Sequence, residues 1–364
     1  MKTFCGITFD EENLDSFIAN YKEIPGDLNS IYRDFFSRSD IIQMLDIDNF
    51  EDVYKQWKYS NNLLTAIFLA SDVDFIHGLK NIPFGCFSQL ECVQDVIIPS
   101  NIGRIGTKAF SFCGELKTVT VENGVSDIDL NAFIFCKELT KVDLPNTLKH
   151  IGDKAFANCV ELQDMNIPDS VELIYNHAFW GCEKLSSIHI PAGIKGIGDY
   201  AFSKCIGLKS INIEEGLEII NQGVFNECES LESIKLPESL EQIHSVAFMD
   251  CISLKEISFP KNVHAIGSNA FMNCSSLRSV TLPDNDAAIF NRCFANCSAL
   301  EKVIIPNRSI GFGSWVFDDC TNLTELIFMG NKADWAKIRK KEHFYSDSDI
   351  KTIKCRDGDI DVSE

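Results

Sequence analysis

Cysteine is the most conspicuous reactive residue type in this chain of 364 residues, which holds 15 of them. Ten recur at one spacing, at 113, 136, 159, 182, 205, 228, 251, 274, 297 and 320, each 23 residues after the last. Thiols can bridge, bind zinc or sense redox state. A disulfide needs Cβ atoms about 3.5–4.5 Å apart, whereas residues stacked in register on parallel strands sit about 4.8 Å apart. Zinc needs converging ligands in a tetrahedron, and a column offers only a line. The column therefore reads as a row of small buried hydrophobes. Cys5, Cys86, Cys92, Cys293 and Cys355 form no C-x-x-C pair, and Cys293 reads as packing beside Cys297.

The other reactive groups are scattered. His77, His150, His177, His189, His244, His264 and His343 fall in different slots of the same period, so they do not converge on one face. No nucleophile elbow, phosphate loop or H-E-x-x-H occurs. A Ser-His-Asp constellation is spatial and stays open at this stage. Asp347, Asp349, Asp357, Asp359 and Asp361 lack the spacing of a calcium loop and read as a solvated tail. Lys337, Arg339, Lys340 and Lys341 follow a predicted short helix, where cations complement its dipole. The expectation is no catalytic residue, no metal and no cofactor.

The elements that must carry these residues repeat. Phe recurs at 87, 110, 133, 156, 179, 202, 225, 248, 271, 294 and 317, eleven units of 23 residues without insertion or deletion. Each unit reads L-x-x-I-x-I-P-x-x-[LV]-x-x-I-G-x-x-A-F-x-x-C. The I-x-I stretch alternates at period two, which marks a short strand. The Pro after it ends the strand, because it cannot donate to a ladder. Ile-Gly pairs such as Ile105-Gly106 and Ile151-Gly152 supply a turn. Ala-Phe-x-x-Cys has room for a single helical or 3₁₀-like turn. No unit can bury its apolar face alone, but stacked units form a continuous core.

The pattern resembles the BspA-like class of leucine-rich repeats over about residues 73–328. The resemblance implies an α/β repeat solenoid, a curved stack with parallel strands on its concave side. It also implies roles in adhesion and protein-protein contact, commonly at microbial cell surfaces. For location the residues pull the other way. The start does not read as a secretory signal, and many unpaired thiols suit a reducing compartment. The expectation is therefore divided between the cytoplasm and a cell-surface or secreted setting.

Three parts are expected: a helical N-terminal cap over 1–72, the solenoid over 73–328 with a degenerate first half-unit at Val73-Asp74-Phe75, and a C-terminal cap over 329–364. Apolar residues at helical spacing, from Phe17-Ile18-Tyr21 to Val53-Tyr54-Trp57, predict the N-terminal helices. Asn331 to Ile338 predicts a short helix with Trp335 and Ile338 inward, and Ile350 to Cys355 a final strand. Acids outnumber bases by 53 to 33, a formal net charge of −20, which disfavours nucleic acid and anionic lipid as partners. Residues 1–78 alone carry 14 acids against 6 bases. No stretch approaches the roughly 20 apolar residues that insertion into a membrane needs.

The strand face opposite the core is the first candidate surface. Its outward slots include Lys141, Asp143, Asp164, Asn166, Ser187, His189, Ser210, Asn212, Ser233 and Lys235, small and polar in the middle of the stack. A second candidate is Phe112, Ile134, Phe135 and Trp180, apolar residues in slots that are mostly polar elsewhere. The function expected is non-catalytic: a protein partner, of identity unknown, held at several points by a preformed surface. A structural spacer within an adhesin and an enzyme with a site at the N-terminal junction are the rival classes.

Overall fold

A computed structural model describes residues 2–4, 7–9, 80–82, 85, 87–89, 94–341, 343–344 and 349–362. A short antiparallel hairpin joins Lys2–Phe4 to Ile7–Phe9. The helices expected between Phe17 and Leu69, and the half-unit at Val73–Phe75, lie outside the described residues.

From Asn81 onward every unit is one coil with three hydrogen-bonded sides. The first side is the strand anticipated from I-x-I. Asp95–Ile98, Thr118–Val121, Lys141–Asp143 and Asp164–Met165 stack in parallel, each residue opposite the one 23 positions on. Ser187–Ile190, Ser210–Ile213 and Ser233–Lys235 form a second such group. A third runs from Glu256–Ser258 to Thr352–Cys355 and ends on the antiparallel strand Gly358–Asp361. Burial alternates along these strands, as in Asp95–Ile98, so the apolar half of each faces the core.

The second side is a ladder that the sequence does not announce. Two-residue strands such as Arg104–Ile105, Asp127–Ile128 and His150–Ile151 pair in parallel where a plain turn was expected. Their Ile side chains point inward and are almost fully buried.

The third side carries Ala-Phe-x-x-Cys and corrects the helical expectation for this segment. Residues two before and two after the Phe adopt left-handed backbone, as at Lys108 (φ 57°) and Phe112 (φ 60°). The alternation turns every second N–H toward the next coil. From Gly85 to Asn296 each coil donates three backbone bonds of 2.7–3.1 Å to the coil after it, as in Phe110 N–H to Ala132 O. The intervening residues close turns within their own coil, as in Ser111 N–H to Lys108 O. An α-helix would aim all these groups along its own axis and leave neighbouring coils unbonded.

The described repeats thus form a β-solenoid and not an α/β stack. Among the described residues the single α-helix is the four-residue Lys332–Trp335, capped by the Asn331 side chain on Asp334 N–H at 2.9 Å. Trp335 and Ile338 turn inward there, and Thr352–Cys355 forms the last parallel strand, as the sequence predicts.

The core is a set of columns. Phe87 to Phe317 stack ring on ring with centroids 5.0–5.9 Å apart. Each of the ten column cysteines is fully buried and donates its S–H to a Phe carbonyl of the preceding coil, at 3.1–3.3 Å. That carbonyl also accepts a backbone N–H, as Phe133 O does from Cys136. Burial pushes the thiols of Cys136, Cys159, Cys182, Cys228, Cys251, Cys274 and Cys297 up, and that of Cys205 to about 12. A neutral thiol keeps its proton and remains a donor.

Candidate functional site

The three sides position the strand-face residues differently from the core. Inward slots are fixed by packing, and outward slots are free to vary. In register, Lys141 stands beside Asp164, while Ser187, Ser210 and Ser233 form one row along the stack and His189, Asn212 and Lys235 another. Seven of the ten predicted residues converge on one open depression of about 660 Å³: Lys141, Asp143, Asn166, Ser187, His189, Ser210 and Asn212. Ser233 and Lys235 continue the same face beyond its rim.

The floor of the depression has a physical cause. No strand pairing joins Asp164–Met165 to Ser187–Ile190, although both neighbouring junctions are paired. The two groups of strands therefore part at this junction, and Leu144, Met165 and Ile188 contribute apolar surface between polar walls. Sequence reasoning missed Leu144 and Met165 as lining residues. Nothing in the repeat marks them, since no residue is inserted or lost there.

The polar walls are partly organised. The Lys141 ammonium meets Asp143 Oδ2 at 2.7 Å. Asn212 Nδ2 lies 2.9 Å from His189 Nδ1, which makes that nitrogen the acceptor and leaves the proton on Nε2, 3.5 Å from Glu214 Oε1. The wall thus offers amide, imidazole and hydroxyl groups on a semi-rigid backbone. It lacks an activated nucleophile and a water-excluding cleft.

The second sequence candidate is only partly assembled. Phe112 and Phe135 stack at 5.0 Å, and Phe112 N–H bonds Ile134 O at 2.8 Å. Trp180 stands two coils further on and takes the Lys204 ammonium over its ring at 5.5 Å, so it belongs to a separate cation-π pair.

The remaining chemical candidates resolve into structure. Asp127 Oδ1 meets His150 Nδ1 at 2.7 Å, but the Ser126 hydroxyl bonds the carboxylate, not the imidazole. Burial raises the Asp127 carboxyl, and the bonds from Ser126 and His150 outweigh it, so its titration is lowered. Such a group of three is not a catalytic relay, which needs the hydroxyl on the imidazole's other nitrogen. Among the described residues no group of three or more His, Cys, Asp or Glu could hold a metal ion. Lys340 lies over the Trp335 ring at 4.4 Å and bonds Trp335 O, which satisfies the last turn of the C-terminal helix. Among the described residues no helix is long and apolar enough to cross a membrane.

Stacked 23-residue coils, parallel strands and a core built mainly from the repeats define a solenoid of the leucine-rich repeat class. A family model for the BspA type leucine-rich repeat region, in 6 copies, matches residues 69–186, 173–298 and 241–361, and the chain belongs to that family. Such repeats generally serve as protein-interaction or surface modules, and the scaffold is typically non-enzymatic. A leucine-rich repeat protein from Bacteroides ovatus shares the fold at TM-score 0.51 and 24% identity, over 68% of this chain and 80% of its own. A leucine-rich cell surface protein from Faecalibacterium prausnitzii is 27% identical over 72% of this chain and 86% of its own, at TM-score 0.40. A leucine-rich repeat protein of T. pallidum is 29% identical over 44% of this chain and 78% of its own, at TM-score 0.42. Comparison with curated proteins returns no match.

Proposed function

We propose that this protein is a non-catalytic interaction module whose strand face holds a protein partner around the depression at Lys141–Asn212. The observation that carries the reading is the convergence of Asp143, Asn166, His189 and Asn212 on an opening where the strand ladder is interrupted. Amide and imidazole groups with an apolar floor suit a polypeptide, which brings backbone donors and acceptors together with side chains. The repeat fixes these groups before binding, so little order is lost on association. Adhesion at a cell surface, with the solenoid as one domain of an adhesin, is the setting this module would serve.

The test is a pull-down with native protein and with a variant carrying Asp143→Ala, Asn166→Ala, His189→Ala and Asn212→Ala. Cell lysate and a panel of extracellular matrix proteins are the two pools. A saturable partner retained by the native protein and lost by the variant supports the reading. Equal capture by both removes the site from the strand face, and no saturable capture from either pool favours a spacer.

A further inference from the structure

Phe112 and Phe135 break two rules at once. Both hold left-handed backbone, with φ of 60° and 59°. The same slot in later coils is filled by Asn158, Gly181, Lys204, Glu227, Asp250, Asn273, Asn296 and Asp319, mostly the Asn, Asp and Gly that reach this conformation most readily and never another aromatic residue. Phe112 is also 47% exposed, and Phe135 beside it is half-buried. Aromatic side chains that cost conformational strain and solubility together point to a use.

Their surroundings narrow what that use is. Three residues beyond each of these slots stands a carboxylate: Glu115, Glu138 and, one coil on, Glu161. Glu115 and Glu138 are exposed and Glu161 is half-buried. Among the described residues none of the three carboxylates has an ion pair or hydrogen bond. Lys137 precedes Glu138, Lys117 holds its ammonium 3.4 Å from Gln94 Oε1, and Lys184 ends the row one coil beyond Glu161, so the three coils that carry the row hold three carboxylates against two cations. An apolar ledge therefore runs beside an unneutralised acidic row, both along the stack axis.

The spacing selects the partner's shape. The stacked rings repeat at 5.0 Å, and an α-helix repeats at about 5.4 Å per turn. A helix laid along the axis can seat apolar side chains at i and i+4 on the two rings. Cations on its adjacent stripe then meet the carboxylates turn by turn. We infer that the Phe112–Phe135 ledge with Glu115, Glu138 and Glu161 docks a basic amphipathic helix of a partner protein. The chain's own N-terminal region is a poor occupant by charge, since residues 1–78 carry 14 acids against 6 bases. An anionic lipid surface is disfavoured for the same electrostatic reason.

The probe is a fluorescein-labelled synthetic peptide with leucine at i, i+4 and i+7 and lysine on the flanking stripe, followed by anisotropy against the full chain. A matched peptide with glutamate for lysine is the control. Saturable binding of the lysine peptide alone is expected. It should weaken about tenfold in a Phe112→Asn, Phe135→Asn variant. It should also weaken severalfold in a Glu115→Gln, Glu138→Gln, Glu161→Gln variant and fall with added salt. Asn favours the left-handed backbone, so the first variant keeps its melting temperature, and the second alters only surface charge. Unchanged affinity in either variant overturns the proposal, as does the absence of saturable binding. The strand-face variant is expected to bind this peptide normally. Loss of binding there would move the site to the depression, so the two readings fail separately.

Discussion

The Phe side and the strand face of each coil are built from the same repeat but behave oppositely. On the Phe side every described junction from Gly85 to Asp318 carries its three backbone bonds, ring stacks and a thiol bond, with no interruption. On the strand face the ladder breaks between Met165 and Ile188 and again between Lys235 and Glu256. The short second ladder breaks once, between Ile197 and Ile219, where the Asn221 amide donates to Ile197 O at 2.7 Å. One side therefore holds the stack together, and the other tolerates gaps. Gaps are where a surface can open without loss of the fold.

The largest test of that division is truncation. Phe202 is fully buried in the column, and Phe202→Ala should lower unfolding free energy by about 3–5 kcal/mol. Ser210→Ala on the strand face should stay within about 0.5 kcal/mol. Urea unfolding of the two variants checks the contrast, and comparable losses would abolish it. Next in size is the thiol column. Cys205→Ala removes a buried sulfur and the donor to Phe179 O, and should cost about 1–2 kcal/mol. In the native protein the same thiol, pushed up to about 12 by burial, should resist maleimide until the chain is unfolded. Labelling rates in urea report this directly.

A smaller effect belongs to the repaired gap in the second ladder. Asn221→Ala withdraws the amide from Ile197 O and should cost about 1 kcal/mol, read as a shift in the thermal midpoint. The smallest is electrostatic. Glu172 lies between Lys195 and Lys149, whose ammonium groups lower its carboxyl to about 2. A carboxyl lowered by folding contributes stability above its unfolded value of 4.5, and that contribution fades as pH falls from there toward about 2. Glu172→Gln should remove this slope from melts taken at low salt. Because the Lys195 and Lys149 partners are solvent-exposed, high salt should remove most of it as well.

Much of this was legible in the sequence. The period of 23 residues and the I-x-I alternation fix the strands, the buried Phe and Cys columns and the outward slots of the strand face. Seven of the ten outward residues chosen on that basis line the depression. The second ladder was hidden because two residues, as in Arg104–Ile105, are too few to show alternation. The left-handed slots were hidden for another reason. Lys108, Val246 and Trp315 all hold positive φ, and none of these types prefers it. Bonds to the next coil impose that backbone, overriding local preference. At Gly223 the reason is closer contact, since a Cβ would lie 2.3 Å from the Tyr200 ring. The opening at Met165 was invisible because the period runs through it unchanged, and Trp180 was grouped with Phe112 on slot chemistry alone.

The spine of backbone bonds has a mechanical consequence. Because each coil's Phe-side N–H groups point at the next coil, traction on the two ends loads those bonds in tension one junction at a time. A coil that peels away frees 23 residues, about 80 Å of contour when fully extended. Under a steady pull the molecule should lengthen in equal increments, like a ratcheted tether. The junctions beside Met165, Ile197 and Lys235, each short of one ladder, should yield before the rest.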